Sequence, residues 1–181
     1  VVAPSRRPLP LHPKLDDVRV DYDALPQDAS WWAVDAVVCT LGTTIKVAGS
    51  QEAFRRVDHG YPLRVGVLAR RDGAQAYALN SAMGADPGSR VFYSRVKGEL
   101  ERDLAALGFP SLTFVRPGLI GGERDEYRAG ERVASVVLRA LGPVLPRAWR
   151  VNPASRTAPE PVEPGLQARP GQHVIGSAAL V

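Results

Sequence analysis

Short apolar runs closed by turn residues alternate along this chain with longer segments of helical periodicity, and that alternation restricts the fold more than any other feature. An apolar run with no polar face must be buried on both sides, and strands buried on both sides belong to parallel sheets covered by helices. Parallel neighbours need crossovers, which the intervening helices supply. The chain is therefore expected to be an α/β protein, a parallel sheet flanked by helices.

Strands are expected at residues 1–3, 18–20, 35–41, 74–79, 112–115 and 173–175. The most continuous is Asp35-Ala36-Val37-Val38-Cys39-Thr40-Leu41, which Gly42-Thr43-Thr44 breaks. A helical pattern over 51–71 places Phe54, Val57, Leu63, Val67 and Leu68 roughly on one side, with Pro62 marking a kink or restart. A second, over 91–107, carries the stripe Phe92, Val96, Leu100, Leu104 and Leu107 and stops at Gly108. A third covers 131–141. Five prolines between 153 and 171 forbid regular structure there, so the chain divides into an α/β domain over 1–152 and, over 153–181, an irregular Pro-rich segment with a final strand.

Composition narrows the function classes. The 181 residues, 45% apolar and 23% charged, are enough for one domain with a real core. No apolar run reaches the roughly 18 residues of a membrane span and no leader pattern opens the chain, so a soluble protein with no membrane partner is expected. A single cysteine, Cys39, excludes an internal disulfide and a Cys-rich zinc site; it suits a reducing compartment, and a cytoplasmic location is expected. His12, His59 and His173 lack metal-ligand spacing, so no metal is expected. A net charge of +4 with a pI near 9.6 is too dispersed for a polyanion surface, and Trp31-Trp32 lacks the interleaved basic residues of a base-stacking platform. No nucleic acid is expected as partner. What remains is a monomer or homodimer acting on a small-molecule substrate.

The strongest chemical signal is Tyr93-Ser94-Arg95-Val96-Lys97. Residues four apart share one face of a helix, so phenol and ammonium can approach. An ammonium favours the phenolate, and Lys97 is expected to lower the pKa of Tyr93 and make it a general acid/base. Only Lys14, Lys46 and Lys97 among the 23 basic residues are lysine, which gives this lysine extra weight. Taken alone, the spacing also suits a surface helix with an incidental pair. Ser81 adds context: it follows a strand expected to be central, where side chains emerge at the carboxyl edge of an open α/β sheet and ligands bind. By itself it could merely cap a turn. A serine hydroxyl, an ionisable tyrosine and a lysine together are the set needed to polarise a carbonyl while hydride is delivered.

Several motifs in order resemble the short-chain dehydrogenase/reductase superfamily: Ser81, Gly84-Ala85-Asp86, Tyr93, Lys97-Gly98-Glu99 and Arg116-Pro117-Gly118. The segments Cys39 to Thr44, Phe54-Arg55-Arg56-Val57-Asp58 with Tyr61, and Gly121-Gly122-Glu123-Arg124 leading to Gly130-Glu131-Arg132 bring the resemblance closer to its atypical, Tat-interacting-protein-like branch. The resemblance covers about residues 1–150. It implies a Rossmann-type NAD(P)-binding fold with Ser81, Tyr93 and Lys97 as catalytic triad, Lys97 also holding the nicotinamide ribose. It further implies Asp21 and Tyr22 beside the adenine, Leu41, Gly42, Thr43 and Thr44 under the ribose and pyrophosphate, and Pro117, Gly118 and Leu119 at the carboxamide. Asp58 is implied to lie on a helix lining the site. After the first strand, Ser5-Arg6-Arg7 offers two guanidinium forks and a hydroxyl without a carboxylate; this suits a 2′-phosphate, and NADP(H) is expected in preference to NAD(H). Two solvated arginines are the alternative.

Two departures from the family pattern stand out. No G-x-x-G-x-x-G occurs, and the chain opens on what the family has as its second strand, so the first strand, the glycine turn and the first helix are expected to be missing and the chain to be a fragment. The Pro-rich stretch over 153–171 stands where relatives carry a helix. The function expected is an NADP(H)-dependent, epimerase-like oxidoreductase acting on a small carbonyl or nucleotide-sugar-like substrate; the alternative is a catalytically silent NADPH-binding regulator or scaffold.

Overall fold

The computed structural model of the chain describes residues 1–118, 120–121, 152–153 and 169–177. Its main sheet has the order β3-β4-β5-β8, built from Ala36–Cys39 (β3), Ala76–Asn80 (β4), Ser111–Arg116 (β5) and Gly171–Gly176 (β8), with every pair parallel. Val2–Ser5 (β1) pairs in parallel with Asp16–Arg19 (β2), and Ile120–Gly121 (β6) with Asn152–Pro153 (β7), as two-stranded sheets of their own. The α/β expectation is borne out.

β4 is central and dry: Ala76, Tyr77, Ala78 and Leu79 are each buried. Strand alternation puts Tyr77 and Leu79 on the face that also carries Cys39, Leu112 and Phe114, where they share a core with Val65, Leu68 and Ala69 of helix Tyr61–Arg71 (α3) and Leu100 and Leu104 of helix Phe92–Ala105 (α4). Burying a leucine there is worth about 1.5–3 kcal/mol. Close approach of the two helices depends on Gly66, where a Cβ would stand 2.8 Å from Leu104 Cδ2 and 3.1 Å from Leu107 Cδ1. Trp32 belongs to this core, its indole N–H donating to the Pro26 carbonyl at 2.7 Å.

The helix expected over 51–71 is two helices, Gln51–Arg55 (α2) and α3, joined by a π-helical turn at Arg56–Gly60. Pro62 has no N–H to return to the carbonyl four residues back, and the wider turn ahead of it absorbs that loss. A short helix at Ile45–Ala48 (α1) was not anticipated, although its signals are in the sequence: the Thr44 hydroxyl accepts from Val47 N at 3.2 Å, and Gly49 closes it at φ 80°. β2 starts earlier than its apolar residues suggest because Asp17 is tied to its neighbours, accepting from Ser5 Oγ at 2.8 Å and Leu9 N at 3.0 Å. Gly108, at φ +67°, follows the second helix as expected. The helix expected over 131–141, most of the Pro-rich stretch and Leu119 lie outside the described residues.

Candidate active site

Helix α4 follows β4 and carries Tyr93, Lys97 and Glu101 at successive four-residue steps, so all three share one stripe. Lys97 and Glu101 are buried, whereas Tyr93 is 40% exposed near the open end. What brings the stripe to the sheet edge is Gly98: a Cβ there would fall 2.2 Å from Asp86 C and 2.3 Å from Pro87 N. The loop after β4 thus lies directly on the helix backbone.

A buried lysine needs an opposite charge. Lys97 Nζ meets Asp58 Oδ1 at 2.7 Å, and both side chains are almost fully buried. The other carboxylate oxygen, Asp58 Oδ2, accepts from Thr43 N at 2.7 Å. Asp58 therefore joins three pieces of chain: the loop after β3, the π-helical turn and α4. Two further pairs, Arg55 with Glu99 and His59 with Asp103 at 2.8 Å, fasten the same segment to α4. The sequence reading left Asp58 without a role; its signal was a carboxylate in a proline-adjacent helix segment within an otherwise apolar pattern.

Ser81 stands just past β4, its N–H donating to the Val115 carbonyl at 2.8 Å. Its hydroxyl donates to Glu101 Oε1 at 2.5 Å, and Arg116 grips the same carboxylate through Nε at 3.0 Å and through Nη2. Arginine only donates, and it contacts both oxygens, so Glu101 is an acceptor and the Ser81 proton points at it. The structure thus puts Tyr93 and Lys97 on one face of α4 and sets Ser81, in the loop after β4, against Glu101 of that helix, with its hydroxyl engaged rather than free. Glu101 was not singled out from the sequence. Beside Ser81, Asn80 Oδ1 is buried without a donor.

One expectation is corrected here. Tyr93 does not have a lowered pKa: burial, including the Phe54 ring 5.7 Å away, raises it, and the lowering by Lys97 is further opposed by Asp58.

On the cofactor side the expected residues separate. Arg6 and Arg7 are exposed and form no ion pair among the described residues. The Ser5 hydroxyl is spent on Asp17 Oδ1 and, at 2.6 Å, on the Arg7 carbonyl, so a carboxylate does stand beside this corner, supplied by the neighbouring strand. Tyr22 is buried, stacked on Tyr61 at 5.4 Å with its hydroxyl donating to the Pro4 carbonyl at 2.7 Å, which leaves the exposed Asp21 as the member of that pair facing solvent. Asp21 itself caps the short turn that follows, accepting from Asp23 N at 2.9 Å. Leu41 and Thr43 are half-buried, and Thr44 caps α1. Gly42 leaves open the space in which a Cβ would approach Asp58 Oδ1 to 3.4 Å and Lys97 Nζ to 3.9 Å. Pro117 receives the Met83 N–H at 3.0 Å, bringing the loops after β4 and β5 together, with Gly118 next in chain. The guanidinium groups of Arg6 and Arg7, the Lys97 ammonium beside Gly42 and the buried Asn80 acceptor are each groups whose chemistry suits a phosphate-bearing dinucleotide. Among the described residues no group of three or more His, Cys, Asp or Glu could hold a metal, and no helix is long and apolar enough to cross a membrane.

A parallel sheet of this order with α3 and α4 packed on it is a Rossmann-type fold. The fold is shared with MoeE5 in complex with UDP-glucose and NAD, at a TM-score of 0.71 and 16% identity over 97% of this chain and 67% of that one. It is shared too with a Bacillus anthracis dTDP-4-dehydrorhamnose reductase in complex with NADP, at 0.58 and 12%, over 92% of this chain and 67% of that one. No family model matches the chain. Among curated proteins it is 39% identical over 143 residues to the mitochondrial protein fmp52 of Emericella nidulans, covering 77% of this chain and 61% of the relative. To the Aspergillus niger fmp52 it is 34% identical over 162 residues, covering 83% and 69%. Rat HTATIP2 is 37% identical over 131 residues, covering 72% and 52%. The chain belongs to the fmp52 family, and its likeness to HTATIP2 agrees with the atypical, Tat-interacting-protein-like branch of the short-chain dehydrogenase/reductases that its motifs resemble. It spans about three fifths of the length of its Emericella relative. The cytoplasmic expectation is overturned by the fmp52 relatives, which are named mitochondrial; a lone cysteine reports on disulfides and not on the organelle.

Proposed function

We propose that the protein is a mitochondrial NAD(P)H-dependent oxidoreductase that acts on a small carbonyl or nucleotide-sugar-like substrate and takes NADP(H) in preference to NAD(H). The observation that carries this reading is the stripe on α4, where Tyr93 lies one turn from a buried Lys97 that Asp58 ties to the loop after β3. A bound nicotinamide would supply or accept the hydride. Lys97, with Gly42 and Thr43, would hold the ribose, Leu41 and Thr44 would line the pyrophosphate, and Arg6 and Arg7 would meet a 2′-phosphate. Asp21 would flank the adenine with Tyr22 behind it, and Pro117, Gly118 and Leu119 would border the carboxamide. Ser5 would shape the phosphate corner through its bond to Asp17. Tyr93 would give a proton to the substrate oxygen, and Ser81 would position that oxygen once its hydroxyl leaves Glu101.

The reading is supported by membership of the family and by the fold shared with proteins solved with NAD and NADP. One observation favours a second reading, a cofactor-binding regulator or scaffold without turnover: the Ser81 hydroxyl is already taken by Glu101, itself clamped by Arg116. Fluorescence titration with NADPH and NADH, before and after Arg6→Ala and Arg7→Ala, tests the cofactor preference. A fall in the NADPH/NADH affinity ratio is expected; an unchanged ratio refutes it. Loss of carbonyl-dependent NADPH consumption in Tyr93→Phe supports the enzyme. NADPH binding with no consumption across a carbonyl panel supports the regulator.

A further inference from the structure

Helix α4 places a buried charge where the loops after β4 and β5 begin. Glu101 is 5% exposed, and a carboxylate that deep is tolerated only where its oxygens are filled. Its Oε1 accepts from Ser81 Oγ at 2.5 Å and from Arg116 Nε at 3.0 Å, and its Oε2 accepts from Arg116 Nη2. Three donors on two oxygens call for a carboxylate, because an amide in its place turns one acceptor into a donor. The two partners come from different strands: Ser81 leaves β4 and Arg116 ends β5, which pair in parallel with Asn80 opposite Val115.

Each strand end opens a different border of the site. Ser81 starts the loop that runs past Met83 to Asp86, and Arg116 leads into Pro117 and Gly118. Backbone bonds join the two: Ser81 N–H donates to the Val115 carbonyl at 2.8 Å and Met83 N–H to the Pro117 carbonyl at 3.0 Å, while Asp86 N–H returns the loop to α4 at the Ser94 carbonyl, 3.1 Å away. None of these bonds orients the Ser81 hydroxyl or the Arg116 guanidinium, and Glu101 does both. We infer that Glu101 is a positioning residue, a buckle on α4 that holds Ser81 and the Arg116-Pro117-Gly118 turn at one fixed separation. Arg116 contacts both carboxylate oxygens, so the buckle stays anchored when the Ser81 hydroxyl turns toward a ligand. The catalytic consequence rests on the reading that Ser81 meets the substrate oxygen and the turn borders the nicotinamide; the mechanical claim stands on the protein alone.

Amide hydrogen exchange of the full chain without added ligand tests the buckle, read at the Ser81 and Met83 N–H groups. Glu101→Ala is compared with Leu68→Ala, a core truncation on α3 of comparable cost to the whole fold. Exchange at both amides about tenfold faster in Glu101→Ala than in Leu68→Ala is expected, with Glu101→Gln between Glu101→Ala and the parent. Equal exchange in Glu101→Ala and Leu68→Ala means that Glu101 only supports the fold, and overturns the inference. If Glu101→Ala fails to fold, Glu101→Gln decides: faster exchange at both amides than in the parent upholds the inference, and parental rates overturn it. Turnover is scored separately. In an active parent, adding Ser81→Ala to Glu101→Ala is expected to change kcat by less than about twofold, because the hydroxyl has already lost its place, whereas losses that multiply overturn the inference. A protein that loosens at the two amides yet consumes no NADPH keeps the inference and loses the enzyme reading.

Discussion

Replacing Gly98 by alanine gives the sharpest test of how α4 is held. Helix propensity alone favours alanine over glycine in a helix interior by nearly 1 kcal/mol. Packing says the opposite. The new Cβ would stand 2.2 Å from Asp86 C, 2.3 Å from Pro87 N and 2.5 Å from Asp86 N, all backbone atoms that no rotamer change can move. Reaching an ordinary contact of about 3.4 Å requires the loop and helix to part by roughly 1 Å, and overpacking of this kind costs about 1–3 kcal/mol. For a chain of this size that is a fall in melting temperature of about 2–12 °C. Thermal and urea denaturation of Gly98→Ala against the parent measure it. Gly60→Ala serves as control, since Gly60 has helical dihedrals and nothing within 4 Å of a Cβ; it is expected to stabilise by about 0.4–1 kcal/mol. A Gly98→Ala protein as stable as the parent, or more so, refutes the packing argument.

Other outcomes follow from the same geometry. Gly66→Ala forces Leu104 and Leu107 aside, both flexible, so its cost is expected at the low end of the same range, about 1 kcal/mol by urea unfolding; a larger loss than Gly98→Ala reverses the ranking. Glu101→Ala strands both the Ser81 hydroxyl and the Arg116 guanidinium and is expected to cost about 3 kcal/mol, whereas Ser81→Ala costs about 1; equal values show that the Arg116 contact contributes nothing. Burial raises the Asp103 carboxyl, but hydrogen bonds from His59 and Arg102 outweigh it and hold the group below its ordinary value. A carboxylate lowered by folding gives stability that is present above its unfolded pKa and lost as the pH falls through the folded one. The parent protein should therefore lose stability on acidification below the ordinary carboxylate range more steeply than Asp103→Asn, and parallel stability profiles for the two proteins contradict this.

Much of the sheet was legible because each inner strand is an apolar run with no alternative environment, and α4 because its stripe from Phe92 to Leu107 ends at Gly108. The π-helical turn was only half legible: Pro62 announced a discontinuity, but not that the wider turn would carry Asp58 onto Lys97. Short α1 was passed over even though Thr44 and Gly49 bracket it, since four residues show no periodicity. In the site, spacing placed Tyr93 and Lys97 on one face correctly, while the burial that raises the phenol and the Asp58 partner of Lys97, 39 positions earlier in the chain, leave no mark on spacing. Glu101 stayed hidden for a related reason. Its partners, Ser81 and Arg116, come from the ends of two adjacent strands, and only the parallel register of β4 with β5 brings them together. Location was not legible at all: cysteine usage speaks of redox chemistry and carries no organelle address.

The central claim is that Tyr93 passes a proton to a substrate oxygen. It is tested most directly by NADPH consumption across a panel of small carbonyl compounds and nucleotide sugars, run with the parent protein, Tyr93→Phe and Lys97→Met side by side. Turnover by the parent that falls at least about a hundredfold in Tyr93→Phe, with NADPH still bound, is the result predicted. Turnover that survives the loss of the phenol, or NADPH binding with no consumption on any compound, contradicts it.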